Sequence, residues 1–212
     1  MLRYIQETPA QVRANIAASA RLTQRMVELY LSRPYRTVWL VACGSSCNAG
    51  HCARYYMKQY LGVEVKIVTP FTFNHYEHDM TPDDFVVCIS QSGCSTNTIE
   101  SLQLCRRLGM RAIGLTGNIH SDFEHEADEV IDFGLGGEKL DFVTKGVVTL
   151  TAFLMLFALH AAHAQGRLSG QALEEQKRQM MACMENYDAL ITAFPAYFEA
   201  NKQKLLSMER AY

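Results

Sequence analysis

The segment Phe85-Val86-Val87-Cys88-Ile89-Ser90-Gln91-Ser92-Gly93-Cys94-Ser95-Thr96 decides the fold, together with an earlier one of the same design, Val38-Trp39-Leu40-Val41-Ala42-Cys43-Gly44-Ser45-Ser46-Cys47. Each begins as a short, continuous apolar run, the pattern of a parallel strand buried on both faces. Each then turns through small, hydroxyl-rich residues into a helical pattern. Glycine in the turn lets the backbone bend and approach a ligand closely. The helix behind it presents unpaired N–H groups and the positive end of its dipole. Serine hydroxyls add donors without adding charge. Two such turns, side by side at the carboxyl ends of neighbouring strands, make an anion cradle suited to a phosphorylated small molecule.

Outward from these turns, strands and helices alternate. Strands are expected over 38–42, 65–68, 85–89, 111–115 and 129–132, with helices over about 47–61, 71–78, 96–108 and 121–127. The glycine-rich stretch Gly134-Leu135-Gly136-Gly137 leads into a long apolar helix from about Thr144. Ahead of the first strand, Thr8-Pro9 opens a helical segment from about Ala10 to Leu31, which Ser32-Arg33-Pro34 stops. Residues 169–212 read as two helices broken near Phe194-Pro195. The chain therefore divides into a helical lead-in (1–35), a five-stranded parallel, doubly wound, flavodoxin-like α/β unit (36–167) and carboxy-terminal helices (168–212). Such sheets bind ligands outside the carboxyl ends of their strands. Both serine turns fall there.

Composition narrows the partners. With 212 residues, 49% of them apolar and 20% charged, the chain is an ordinary globule with room for one substantial α/β unit. A net charge of −2 offers no basic excess to offset nucleic-acid phosphates or an anionic membrane, so neither partner is expected. The pair Arg106-Arg107 reads as a solvated helix face. Seven cysteines, at 43, 47, 52, 88, 94, 105 and 183, are an odd number scattered through apparent strands and helices. That fits reduced thiols in a cytoplasmic protein better than a disulfide framework. Met1-Leu2-Arg3-Tyr4-Ile5-Gln6 lacks the apolar core of a signal peptide. The stretch Val147 to Leu159 falls short of the roughly 17–25 apolar residues of a membrane span and reads as a buried core helix.

Other site chemistries fit less well. Gly44-Ser45-Ser46-Cys47-Asn48-Ala49-Gly50 lacks the G-x-G-x-x-G spacing, and the second strand ends in Thr69-Pro70 with no acidic residue for a ribose. Neither turn is followed by the Gly-Lys-Ser/Thr of a P-loop, and neither is a G-x-S-x-G nucleophile elbow. Cys43, Cys47, His51 and Cys52 do not supply four converging ligands, so no metal and no cofactor is expected. The cluster His75-Tyr76-Glu77-His78-Asp79 reads as surface or subunit interface, with His75 or His78 as candidates to reach a substrate across a dimer. Lys145 reads as a loop anchor rather than a reactive amine. Glu174, Glu175, Glu185, Glu199 and Glu209 read as solvated helix faces.

On Cys43-Gly44-Ser45-Ser46 and Ser90-Gln91-Ser92-Gly93-Cys94-Ser95, the chain resembles the sugar isomerase (SIS) domain family over roughly residues 20–165. Within it, the likeness is strongest to the isomerase half of glucosamine-6-phosphate synthase and to phosphosugar deglycases. Glu138, seven residues before Lys145, matches the family's loop ending in Ser-Thr-Lys. The resemblance implies that Cys43, Gly44, Ser45 and Ser46 line one side of a sugar phosphate. It implies that Ser90, Gln91, Ser92 and Ser95 donate to its phosphate oxygens, and that Asp141, Val143 and Lys145 belong to the loop edging the sugar. Three positions depart from the family: Cys94 stands in place of a common Glu, Val143 in place of a serine, and Cys47 in place of a frequent tyrosine.

Catalysis is less legible than binding. Moving a carbonyl between C1 and C2 needs a base and an acid beside the sugar. In the family resembled, the Glu and His that do this lie in a second SIS domain, which this chain is expected to lack. Residue 2 is leucine where a glutamine-hydrolysing domain needs a nucleophilic cysteine, so glutamine-dependent amination is not expected. The chain is then half of a longer enzyme, or a half-size relative borrowing residues from a neighbouring subunit. Three functions remain open: a phosphosugar isomerase or sugar-6-phosphate amine deglycase, a non-catalytic phosphosugar sensor, and a structural dimerisation module. No helix-turn-helix accompanies the sheet. The long apolar helix and the trailing helices lead to the expectation of a homodimer or higher assembly.

Overall fold

The computed structural model describes residues 1–138 and 143–209. Five parallel strands, β1 (Thr37–Ala42), β2 (Glu64–Val68), β3 (Asp84–Ile89), β4 (Ala112–Thr116) and β5 (Glu129–Asp132), form one sheet in the order β2-β1-β3-β4-β5. This is the doubly wound α/β architecture read from the sequence. The order reverses direction between β1 and β3. Their register runs from Thr37 beside Asp84 to Ala42 beside Ile89, so both strands end level with one another.

Side chains alternate across each strand, and the three central strands are buried on both faces. Val38, Leu40 and Ala42 of β1 join Phe85, Val87 and Ile89 of β3 on one face, under α2 (Ser19–Leu31), α3 (Gly44–Leu61) and α7 (Lys145–Ala164). Trp39, Val41, Val86 and Cys88 point to the other, beneath α4 (Pro70–His75), α5 (Thr96–Arg107) and α6 (Phe123–Glu126). A third apolar cluster joins α1 (Leu2–Ala17) and α8 (Gly170–Leu206) to the outer side of α7 through Val12, Ile16, Ala152, Leu156 and Met184. At 20 residues α7 has the length and composition of a membrane span, more than the 147–159 stretch suggested. Its Phe153, Leu154, Phe157 and Ala158 are fully buried, which makes it the central helix of the core.

The helical ends differ from the sequence reading. Helix α1 starts at Leu2 and runs through Pro9, and the break falls at Ala18 (φ −92°, ψ 10°) rather than at Pro9. Val12 and Ile16 pack on α7 after the proline, and Tyr4 and Glu7 meet Lys145 of α7 before it, so α1 is held on both sides of Pro9. Buried Ser19, whose Oγ lies 3.0 Å from His160 Nε2, starts α2. Helix α8 is one continuous 37-residue helix with Pro195 inside it, not two. Ala193 and Ala196 flank Pro195, and the carbonyl that loses its donor lies in a largely exposed segment.

Candidate functional site

Both serine turns open into one cavity of about 760 Å³ at the carboxyl edge of the sheet. Helix α3 begins at Gly44, so the first turn forms the helix's opening residues. Its N-cap, Cys43, makes no side-chain cap bond. The N–H groups of Gly44, Ser45 and Ser46 therefore have no partner within the helix. Helix α5 is arranged alike, with Ser95 as an N-cap that makes no side-chain cap bond.

The second turn is braced internally. Ser90 N–H donates to Leu115 O (3.1 Å), and Gly93 N–H donates to Ser90 O (3.1 Å) and Ser90 Oγ (3.2 Å). Cys94 N–H donates to Ser92 Oγ (3.2 Å). Both serine oxygens thus accept from the backbone, and each hydroxyl retains its own hydrogen as a donor. The two oxygens lie 3.4 Å apart, so only one hydrogen can be spent on the other. Thr98 Oγ1 donates to Ser95 Oγ at 3.1 Å, which leaves the Ser95 hydrogen for the cavity. Gly44 and Gly93 occupy the left-handed region at φ +56° and +70°. A Cβ on Gly93 would also overlap Ser121 Oγ.

Of the expected site residues, Cys43, Gly44, Ser45, Ser46, Ser90, Gln91, Ser92, Ser95 and Val143 all line this cavity. Asp141 lies outside the described residues. Lys145 is set apart: it is 2% exposed, with Nζ 3.5 Å from Glu7 Oε2 and 5.5 Å from the centre of the Tyr4 ring. Its side chain anchors α1, and only its backbone N–H turns to the loop, donating to Glu138 Oε1 at 2.9 Å. His75 lies beside Phe71 at the surface with the rings tilted 57° to each other, and His78 Nδ1 lies 3.0 Å from Phe73 O; neither lines the cavity.

The sequence reading did not single out Thr98, Gly117, Asn118, Leu135, Gly137 or Glu138 as part of the wall. Thr98 sits three residues past Ser95, on the same helical face. Gly117 and Asn118 follow β4 at its carboxyl end, where the strand-end rule applies to any strand. Among the described lining residues Glu138 carries the one charge, and none is a lysine, arginine or histidine. A dianion held here meets neutral hydroxyls and open helix ends.

A parallel doubly wound α/β sheet here gathers neutral donors at its switch point. Residues 33–159 match the SIS domain model, and the chain belongs to that family. It is 25% identical over 188 residues to the glutamine–fructose-6-phosphate aminotransferase (isomerizing) of Clostridium tetani, which covers 86% of this chain and 31% of that protein. The Pseudomonas aeruginosa protein of the same name is 28% identical over 176 residues, 80% of this chain and 29% of its own length. The chain spans about a third of the length of such curated relatives. Among solved structures, a Clostridium difficile 630 protein assigned as a phosphosugar isomerase superposes with a TM-score of 0.86 at 23% identity, over 95% of this chain and 57% of that one. The carboxy-terminal domain of glucosamine-fructose-6-phosphate aminotransferase from Francisella tularensis gives 0.76 at 24% identity, over 96% and 57%. A Listeria monocytogenes protein assigned as a sugar-phosphate isomerase gives 0.62 at 19% identity, over 84% of this chain and 95% of that one. These likenesses establish the fold.

Proposed function

We propose that the chain binds the phosphate ester of a sugar or amino sugar at its two serine turns, as an aldose–ketose phosphosugar isomerase or as a deglycase releasing an amine from a sugar 6-phosphate. One observation carries this reading. Ser45 and Ser46 from one turn and Ser90, Ser92 and Ser95 from the other converge on one cavity, at the open amino ends of α3 and α5. The relatives' names, which include fructose 6-phosphate and phosphosugar isomerase, point the same way. The phosphate sits between the turns, and the sugar extends towards Gly137, Glu138 and Val143.

Carbon–proton transfer needs a base and an acid within hydrogen-bond reach. The one carboxylate among the described lining residues already accepts N–H donors, so we assign the proton-handling groups to a second copy of the chain in a homodimer. The same observation supports a second reading, a phosphosugar sensor without turnover. Seven free thiols suit a reducing compartment, and we place the protein in the cytoplasm.

A thermal-shift panel of sugar 6-phosphates on wild type and Ser92→Ala tests the site. A ligand at a hundred times its dissociation constant stabilises by about 2.7 kcal/mol, and the variant is expected to lose much of that shift. No shift with any phosphosugar, or an undiminished shift in Ser92→Ala, would remove the site. Turnover on the same panel separates enzyme from sensor.

A further inference from the structure

The carboxylate of Glu138 stands where three parts of the cavity wall meet. Its Oε1 accepts from the backbone N–H groups of Thr144 and Lys145, both at 2.9 Å. Its Oε2 accepts from Gly146 N–H at 3.0 Å and from Gln91 Nε2 at 3.1 Å. A carboxylate has about four lone-pair sites, and all are filled. A proton taken from a sugar carbon would first require one of these bonds to break.

Gln91 is held from the other side as well. Its Oε1 is buried without a hydrogen-bond partner, and a Cβ at residue 146 would overlap that oxygen. The amide has its seat because residue 146 is glycine. A buried unpaired acceptor opposes the arrangement. The bond from Nε2 to a charged carboxylate outweighs it and fixes the orientation, since the flipped amide would set oxygen against oxygen. The backbone carbonyl of Gln91 accepts from Gly117 N–H (3.0 Å) and Thr116 Oγ1 (3.2 Å). The second serine turn is thus tied to β4 by its backbone and to the amino end of α7 by its side chain.

We infer that Glu138 is a positioning residue: by gathering Gln91 and the amino end of α7 it sets the second serine turn against the loop that borders the sugar, and it is not the base. The inference rests on the phosphosugar reading above. Its test is calorimetric affinity for two probes, inorganic phosphate and fructose 6-phosphate, measured on wild type, Glu138→Gln, Gln91→Met and the double variant. Each single variant is expected to weaken both probes by about tenfold, the effect of one charge-assisted hydrogen bond. The double variant is expected to lose no more than the worse single one, because both changes cut the same link.

If Glu138 touched the sugar directly, Glu138→Gln would weaken fructose 6-phosphate and leave inorganic phosphate unchanged. That result would overturn the inference, as would additive losses in the double variant or unchanged binding in either single one. Gln91→Met leaves the three backbone bonds to Glu138 in place, so it carries the test should Glu138→Gln fail to fold. A wild type that binds neither probe overturns the phosphosugar reading and the inference with it. A binding wild type beside indifferent variants overturns the inference alone.

Discussion

Cys43 and Cys94 are exposed and line the cavity, one from each turn, while Cys52 and Cys183 are exposed elsewhere on the surface. Cys88 is buried, and its hydrogen bond with Cys105 together with burial pushes its thiol well up, which makes it inert as a nucleophile. Labelling with a thiol reagent in the presence of a bound sugar 6-phosphate should therefore protect Cys43 and Cys94 and spare no other exposed cysteine. Mass-spectrometric mapping with all four labelled equally in both conditions would contradict a ligand between the turns. The turn serines were legible because hydroxyls directly after an apolar run have a local meaning. Gly117 and Asn118 occupy an equivalent strand end but carry no such mark. The partners that bury the Lys145 side chain, Glu7 and Tyr4, come from the far end of the sequence, so no local pattern announces them.

At the scale of elements, the strands and the helices between them were legible to within a few residues, since period and burial agree there. The outer helices were not. Proline at 9 and 195 suggested ends that packing and neighbouring helix formers override, and Ala18 marks a break that no local residue announces. The junction of α2 with α7 has a pH signature. Burial, reinforced by Lys177 and His163 and opposed by Glu174, holds the His160 imidazole below its usual pKa. In the unfolded chain it protonates near pH 6.5, so below that value the unfolded state binds more protons than the folded one. Stability from this group is complete above about pH 6.5 and is lost as pH falls towards the lower folded value. Urea midpoints at pH 7.5 and 5.5 should show a smaller drop for His160→Gln, which keeps a partner for Ser19, than for wild type. Equal drops would count against this account.

For the whole molecule, α8 is the element the body does not cover. Leu173 and Met184 are its buried residues, and Arg13 ties it down through Asp188 at 2.8 Å. Beyond that pair Leu190, Phe194 and Tyr197, which share one helical face, are 61–68% exposed. An apolar helical face of this kind is expected to be covered by self-association. Light scattering should give at least a dimer, and Leu190→Lys with Phe194→Lys should shift it towards monomer; a monomeric wild type would contradict the homodimer. The sheet order carries a different consequence. Cys43 and Ser90 lie far apart along the chain, yet the strands that bear them are neighbours. The pocket is thus a long-range contact, closed only after β2 and its flanking helices have been looped out. A ligand that touched both turns would bridge two strands that the chain visits with β2 in between.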